Sequence, residues 1–114
     1  MKTIHQLKAI LTTSQDLNAA ALDYSSSQTQ AFKLEEVTIH FSVNVTETIT
    51  IARNANSGAN YDTVLATRAM VGEQDFVFRP QGECNFFPGD NVDIDITNAN
   101  TTGIAYVELK LSEM

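Results

Sequence analysis

Cysteine occurs once in 114 residues, at Cys84, so no internal disulfide can form. Tryptophan is missing altogether. That weakens any reading that needs a broad exposed ring for stacking. Lysine and arginine total 7 against 14 acids, for a net charge of −7. No two basic residues are adjacent, so the stripe needed to displace counterions from nucleic acid is absent. The same sign disfavours an anionic membrane surface. No apolar run approaches the length of a membrane-spanning helix. The first residues lack a basic stretch followed by an apolar one, so no secretory signal is expected. The Asn-X-Thr triplets at Asn44 and Asn100 are then accidental.

What is present describes a globular β protein. Hydrophobic residues make up 43% and charged residues 18% of the chain, a mix that buries a core. The length fits one domain that folds without metal or disulfide help. The polar residues are mostly Thr, Ser, Asn and Gln, suited to strands and turns.

The segment from Asp75 to Leu111 carries the clearest pattern. It has three alternating apolar runs divided by Pro, Gly and Asn. Phe76 and Phe78 share one face. Val92, Ile94 and Ile96 share another, leaving Asn91, Asp93, Asp95 and Thr97 outward. Ala105, Val107, Leu109 and Leu111 point inward in the last run, with Tyr106, Glu108 and Lys110 outward. Pro88-Gly89-Asp90 is a turn in which Pro sets φ and Gly takes a positive one. Upstream, Phe32 and Leu34 alternate, Glu35-Glu36 interrupts, and Val37, Ile39, Phe41, Val43 and Val45 resume. A doubled polar pair that moves the inward face by one residue predicts a β-bulge. Asn44 to Thr48 is expected to turn the chain into a hairpin with Ile49 and Ile51 on the return strand. Asn54 to Asn60 is a loop.

The fold expected is all-β: an antiparallel β-sandwich, jelly-roll-like, of seven to eight strands. Residues 31–114 form that domain, and residues 1–30 read as an N-terminal arm. In the arm, Ile4, Leu7, Ile10 and Leu11 fit helical spacing while Leu7, Ala9 and Leu11 also alternate. Lys2, Lys8 and Lys33 against Asp16 and Asp23 make the first 33 residues nearly neutral beside an acidic body. Such an arm packs on its own domain or reaches a neighbouring subunit.

Candidate chemistry is sparse. Asp90, Asp93 and Asp95 form a carboxylate cluster, but a flat strand spaces Asp93 and Asp95 roughly 6.5–7 Å apart, poor convergence for Ca²⁺. His5 and His40 lie in different segments without a second ligand at zinc spacing. His40 alternates with Ile39 and Phe41 and is expected at the surface. No metal, cofactor-binding or catalytic residue is assigned, no cofactor is expected, and the chain reads as non-enzymatic. Cys84 reads as a spectator thiol in a loop. The interface candidates are Arg53, Arg68 and Arg79, the adjacent rings Phe86 and Phe87, and Tyr106, with Tyr61 a further exposed ring.

Phe78-Arg79-Pro80, Pro88-Gly89-Asp90, Val92-Asp93-Ile94, Thr97-Asn98 and Gly103-Ile104-Ala105-Tyr106-Val107 together resemble β-sandwich virion proteins of tailed bacteriophages. The pattern also looks like jelly-roll trimers of the tumour-necrosis-factor and C1q type. The likeness covers the last third well and the body from Phe32 loosely. Phage proteins of this kind decorate or cement capsids, or build collars, tails and fibres. The resemblance implies a capsid decoration (cement) protein located in the virion. Its partner would be the major capsid protein or another virion protein, and it would act as a homo-oligomer, with a trimer the first expectation. The competing expectations are a collar, tail or receptor-binding module that takes carbohydrate, and a small hydrolase.

Overall fold

The computed structural model describes residues 7–100 and 103–113. The strands are β1 (Leu7–Asp16), β2 (Leu22–Ser25), β3 (Phe32–Val45), β4 (Thr48–Asn54), β5 (Thr63–Ala69), β6 (Glu73–Phe78), β7 (Asn85–Phe86), β8 (Asn91–Ile96) and β9 (Ile104–Ser112). One sheet runs β1-β9-β3-β6, with the two-residue β7 also paired to β3. The other runs β2-β8-β4-β5. Every pairing is antiparallel. Eight principal strands in this order, split four and four, make the double Greek key of a jelly roll. The all-β sandwich expected from the sequence is the fold.

The core is one cluster between the sheets. Val37, Ile39 and Phe41 of β3 meet Ile49 and Ile51 of β4, Val92, Ile94 and Ile96 of β8, and Val107, Leu109 and Leu111 of β9. Each such side chain supplies roughly 1.5–3 kcal/mol of transfer free energy before chain entropy is subtracted. The Glu35–Glu36 bulge is real: the β3–β9 register shifts between Leu34 and Glu36. It moves the inward set from Phe32 and Leu34 to Val37 and Ile39.

Three expectations change. The arm is part of the roll: β1 pairs with β9 along its length, and β2 pairs with β8. Alternation prevails over helical spacing because β9 offers an open ladder, so Leu11 packs on the core and Ile10 faces out. Leu17 and Leu22, between and at these strands, are fully in the core. Residues 31–114 would therefore lack an edge strand in each sheet. Residues 1–6, including His5, lie outside the described residues. Secondly, β3 and β4 do not form a hairpin. The Thr46-Glu47 step carries the chain from one sheet to the other, and β4 pairs with β5 and β8 instead. Thirdly, Val43 breaks the inward alternation. It is exposed where pairing to β6 is interrupted between His40 and Val45.

Candidate functional site

The two ends of β4 and β8 are built alike. At one end Glu47, only 4% exposed, lies before β4. Its carboxylate accepts from the Thr97 hydroxyl at 2.6 Å and from the amides of Ala99 at 3.1 Å and Asn100 at 2.8 Å. Its backbone carbonyl accepts from Met70 N–H. At the other end Asp90, also 4% exposed, lies before β8. Its carboxylate accepts from Asn56 N–H at 2.8 Å and Phe87 N–H at 3.0 Å. In each case a buried carboxylate takes up backbone donors of a loop, and such charged acceptors make the stronger hydrogen bonds.

The Asp90 end has a shape that the other lacks. Phe87-Pro88-Gly89-Asp90 is closed by the Asp90 N–H to Phe87 carbonyl bond, with Gly89 at φ 88. Pro at the second position and a positive-φ glycine at the third give a type II turn. An added Cβ on Gly89 would lie 2.7 Å from Asn56 Cγ, so the two loops press together there. Asp62 accepts from Ala55 N–H at 2.8 Å and closes the 55–62 loop on itself. Between these loops opens a cleft of about 230 Å³, lined by Arg53, Ser57, Tyr61, Asn85, Phe87 and Asp90 among others. Arg53 points toward the core end, its guanidinium 4.5 Å over the Phe86 ring and its Nη2 donating to Asn85 carbonyl at 2.7 Å. Phe86 in turn stacks on Phe32 at 4.8 Å.

The expected interface set therefore divides. Phe87 is exposed, as one of two adjacent rings had to be. Phe86 is fully buried and is a core residue, not a surface contact, because β7 pairs with β3 and turns that ring inward. Arg53 lines the cleft. Arg68 is engaged by Glu73 at 2.6 Å, and Arg79 by Glu36 at 2.7 Å. The three arginines are thus not gathered into one site. Tyr106 is half exposed on the outer face of the first sheet, in a row with Ser14, His40 and Asp75.

That row deserves a chemical test because it contains Ser, His and Asp. His40 Nδ1 lies 2.6 Å from Asp75 Oδ1, and the His40 ring stacks with Tyr106 at 6.4 Å. Ser14, however, is two strands from His40, roughly 9–10 Å by sheet spacing, with Tyr106 between. No hydrogen bond can join hydroxyl and imidazole at that separation. A groove of about 520 Å³ runs over this face past Thr12, Thr38 and Glu108.

The carboxylate cluster also divides. Asp90 is committed to its two amides, while Asp93 and Asp95 stand on the outer face of β8. Asp95 lies directly opposite Asp23. Its carboxyl pKa is raised, by partial burial first and then by the Asp23 and Asp93 charges. Glu36, on the opposite sheet, is held down to about 2 by hydrogen bonds from Lys110 and Arg79. Cys84 is buried, and burial raises its thiol pKa against a smaller opposing effect of Arg53, which suits an inert thiol.

Sequence reasoning passed over Glu47, Asn85 and Asp62. Glu47 had a faint signal, an acid between two threonines at the end of an alternating run. Asn85 had none, since its role follows from where Arg53 reaches.

No family model matches the chain, and no curated protein matches it. Among solved structures it is similar to the core of Drosophila NLP, whose structure is described in terms of pentamer formation and histone binding. The identity is 8%, over 91% of this chain and 98% of that one, with a TM-score of 0.46. A likeness at that level carries no argument about this chain's role.

Proposed function

We propose that this chain is a non-enzymatic virion structural protein, a capsid decoration protein that seats on an assembled phage head. The observation that carries the reading is the exposed apolar edge of the second sheet. Val64 and Val71 are 62% and 71% exposed, and they lie on β5 and in the turn that follows it. β5 is an edge strand that offers one free row of backbone donors and acceptors. Apolar side chains on an open edge invite a partner strand or surface. A shell subunit would cover them, and repetition over a symmetric lattice would multiply a modest contact by avidity. The jelly-roll order and the turn motifs of the closing segment support the same reading, although one fold hosts many roles.

Mass spectrometry of purified virions from the phage whose genome encodes this chain is the direct test. The chain should be present at a fixed ratio to the major capsid protein. Its absence from intact heads would sink the proposal. Light scattering on the purified protein checks the oligomer, with a trimer expected.

A further inference from the structure

The cleft at the Asp90 end carries two exposed aromatic rings beside an arginine and an asparagine, and we propose that it is a saccharide site taking one hydroxylated ring. The proposal stands apart from the virion reading and survives its failure. Two aromatic side chains, Tyr61 and Phe87, line the cleft and are about two-thirds exposed. Exposed rings at a concave site are poor contributors to stability and good platforms for the C–H face of a pyranose. Among the described residues the hollow beside Glu47 is lined by Thr, Ala, Met, Val and Asn100, without a ring.

Polar groups sit beside these rings. Arg53 can donate through five N–H bonds, and among the described hydrogen bonds it uses one, to Asn85 carbonyl. Arg53 Nε and Asn85 Oδ1 are both shielded from solvent without a hydrogen-bond partner among the described residues. Such idle groups are costly, and because both are closed to solvent a hydroxyl reaches them only when the Arg53 and Asn85 side chains turn into the cleft. A sugar hydroxyl both donates and accepts, so small side-chain adjustments would let one ring satisfy both. Ser57 and the Tyr61 hydroxyl add further partners at the rim.

The backbone of the two loops is fixed before any ligand arrives. Asp90 holds Asn56 and Phe87 by their amides, and Asp62 holds Ala55. A preorganised site forfeits less entropy on binding. The cleft, at about 230 Å³, falls below the roughly 300–1,000 Å³ of pockets for drug-sized ligands. It therefore suits one terminal residue of a glycan and not a buried oligosaccharide.

The test is a heteronuclear NMR titration of the whole chain with methyl glycosides of neutral hexoses, N-acetylhexosamines and a uronic acid. At least one should move the amides of residues 55–62 and 85–90 together. Phe87→Ala and Tyr61→Ala should each weaken that binding roughly tenfold or more, about 1.4 kcal/mol, without lowering the melting temperature. Val64→Ala, exposed on β5 but outside the cleft lining, should leave binding unchanged. If no glycoside in the panel moves those amides, the proposal is wrong. It is equally wrong if the shifts persist undiminished in the Tyr61→Ala, Phe87→Ala double variant.

Discussion

Glu47 and Asp90 hold opposite ends of the same two strands, and the ends have different uses. At the Glu47 end the carboxylate gathers Thr97, Ala99 and Asn100 into a tight polar loop. At the Asp90 end it holds two loops side by side, and a cleft with aromatic walls opens between them. One physical device, a buried acid satisfied by backbone N–H groups, thus serves compaction in one place and shape in the other. The lesson is that burial of a carboxylate does not by itself mark a functional site. What distinguishes the ends is the side chains that the tethered loops leave exposed.

Glu47→Ala should have the largest effect. It strands one hydroxyl and two amide donors at once, so a loss of about 3 kcal/mol is expected in urea unfolding. A loss below about 1 kcal/mol would mean that water replaces the carboxylate and that Glu47 does not hold that loop. Asp90→Ala should cost about 2 kcal/mol, since two amides lose their acceptor. Hydrogen exchange at Asn56 and Phe87 should speed up selectively, and any saccharide affinity should fall with it. Gly89→Ala comes next, at about 1 kcal/mol, because its φ of 88 strains any L side chain. The Cβ contact itself is with the flexible end of Asn56, which can move aside.

The carboxylates on the open faces sharpen the contrast, with smaller effects. Glu36 titrates low, at about 2, under Lys110 and Arg79. Its stabilisation is present above its ordinary value near 4.5 and is lost as pH falls through about 2. Replacing both Lys110 and Arg79 with Ala should return the Glu36 titration, followed by carboxyl NMR, toward 4.5. The stability cost should be about 1 kcal/mol or less, since Arg79 is largely solvated. Asp95 has the opposite sign. A raised folded-state pKa means that protonation favours the fold, and that gain is lost as pH rises through the raised value. Asp95→Asn should therefore stabilise the protein slightly at neutral pH, by a few tenths of a kcal/mol at this exposed position. A destabilised variant would show that Asp95 has a partner role that its charge surroundings do not suggest.

The alternating runs of β3, β8 and β9 were legible because each has one dry face and one wet face. The bulge at Glu35–Glu36 was legible for the same reason, as a phase change in that alternation. β1 and β2 were harder to read. Thr12, Thr13, Ser14 and Gln15 carry little apolar signal, and their pairing depends on a β9 ladder some ninety residues away in sequence. The missed β3–β4 crossover has a similar cause. A two-residue step looks like a hairpin turn, yet Ile49 and Ile51 lie opposite β8 and β5 in the second sheet.

The site was less readable still. Phe86 and Phe87 announced that one ring must face outward, but not which, because the choice rests on the β7 pairing with β3. Arg53, Asn85 and Asp90 are scattered among ordinary surface residues in the chain and come together only at the open end of the roll.

By itself the sequence determined the fold class, the inward faces of β8 and β9 and most of that of β3, and the acidic surface, since period-two hydrophobicity and net charge are local properties that every residue reports. Only the tertiary structure decided the strand order, the membership of residues 7–25 in both sheets, and the meeting of Arg53 with Tyr61 and Phe87. Those depend on pairing between distant segments, and a backbone ladder of identical N–H and C=O groups leaves no mark on the residues that form it.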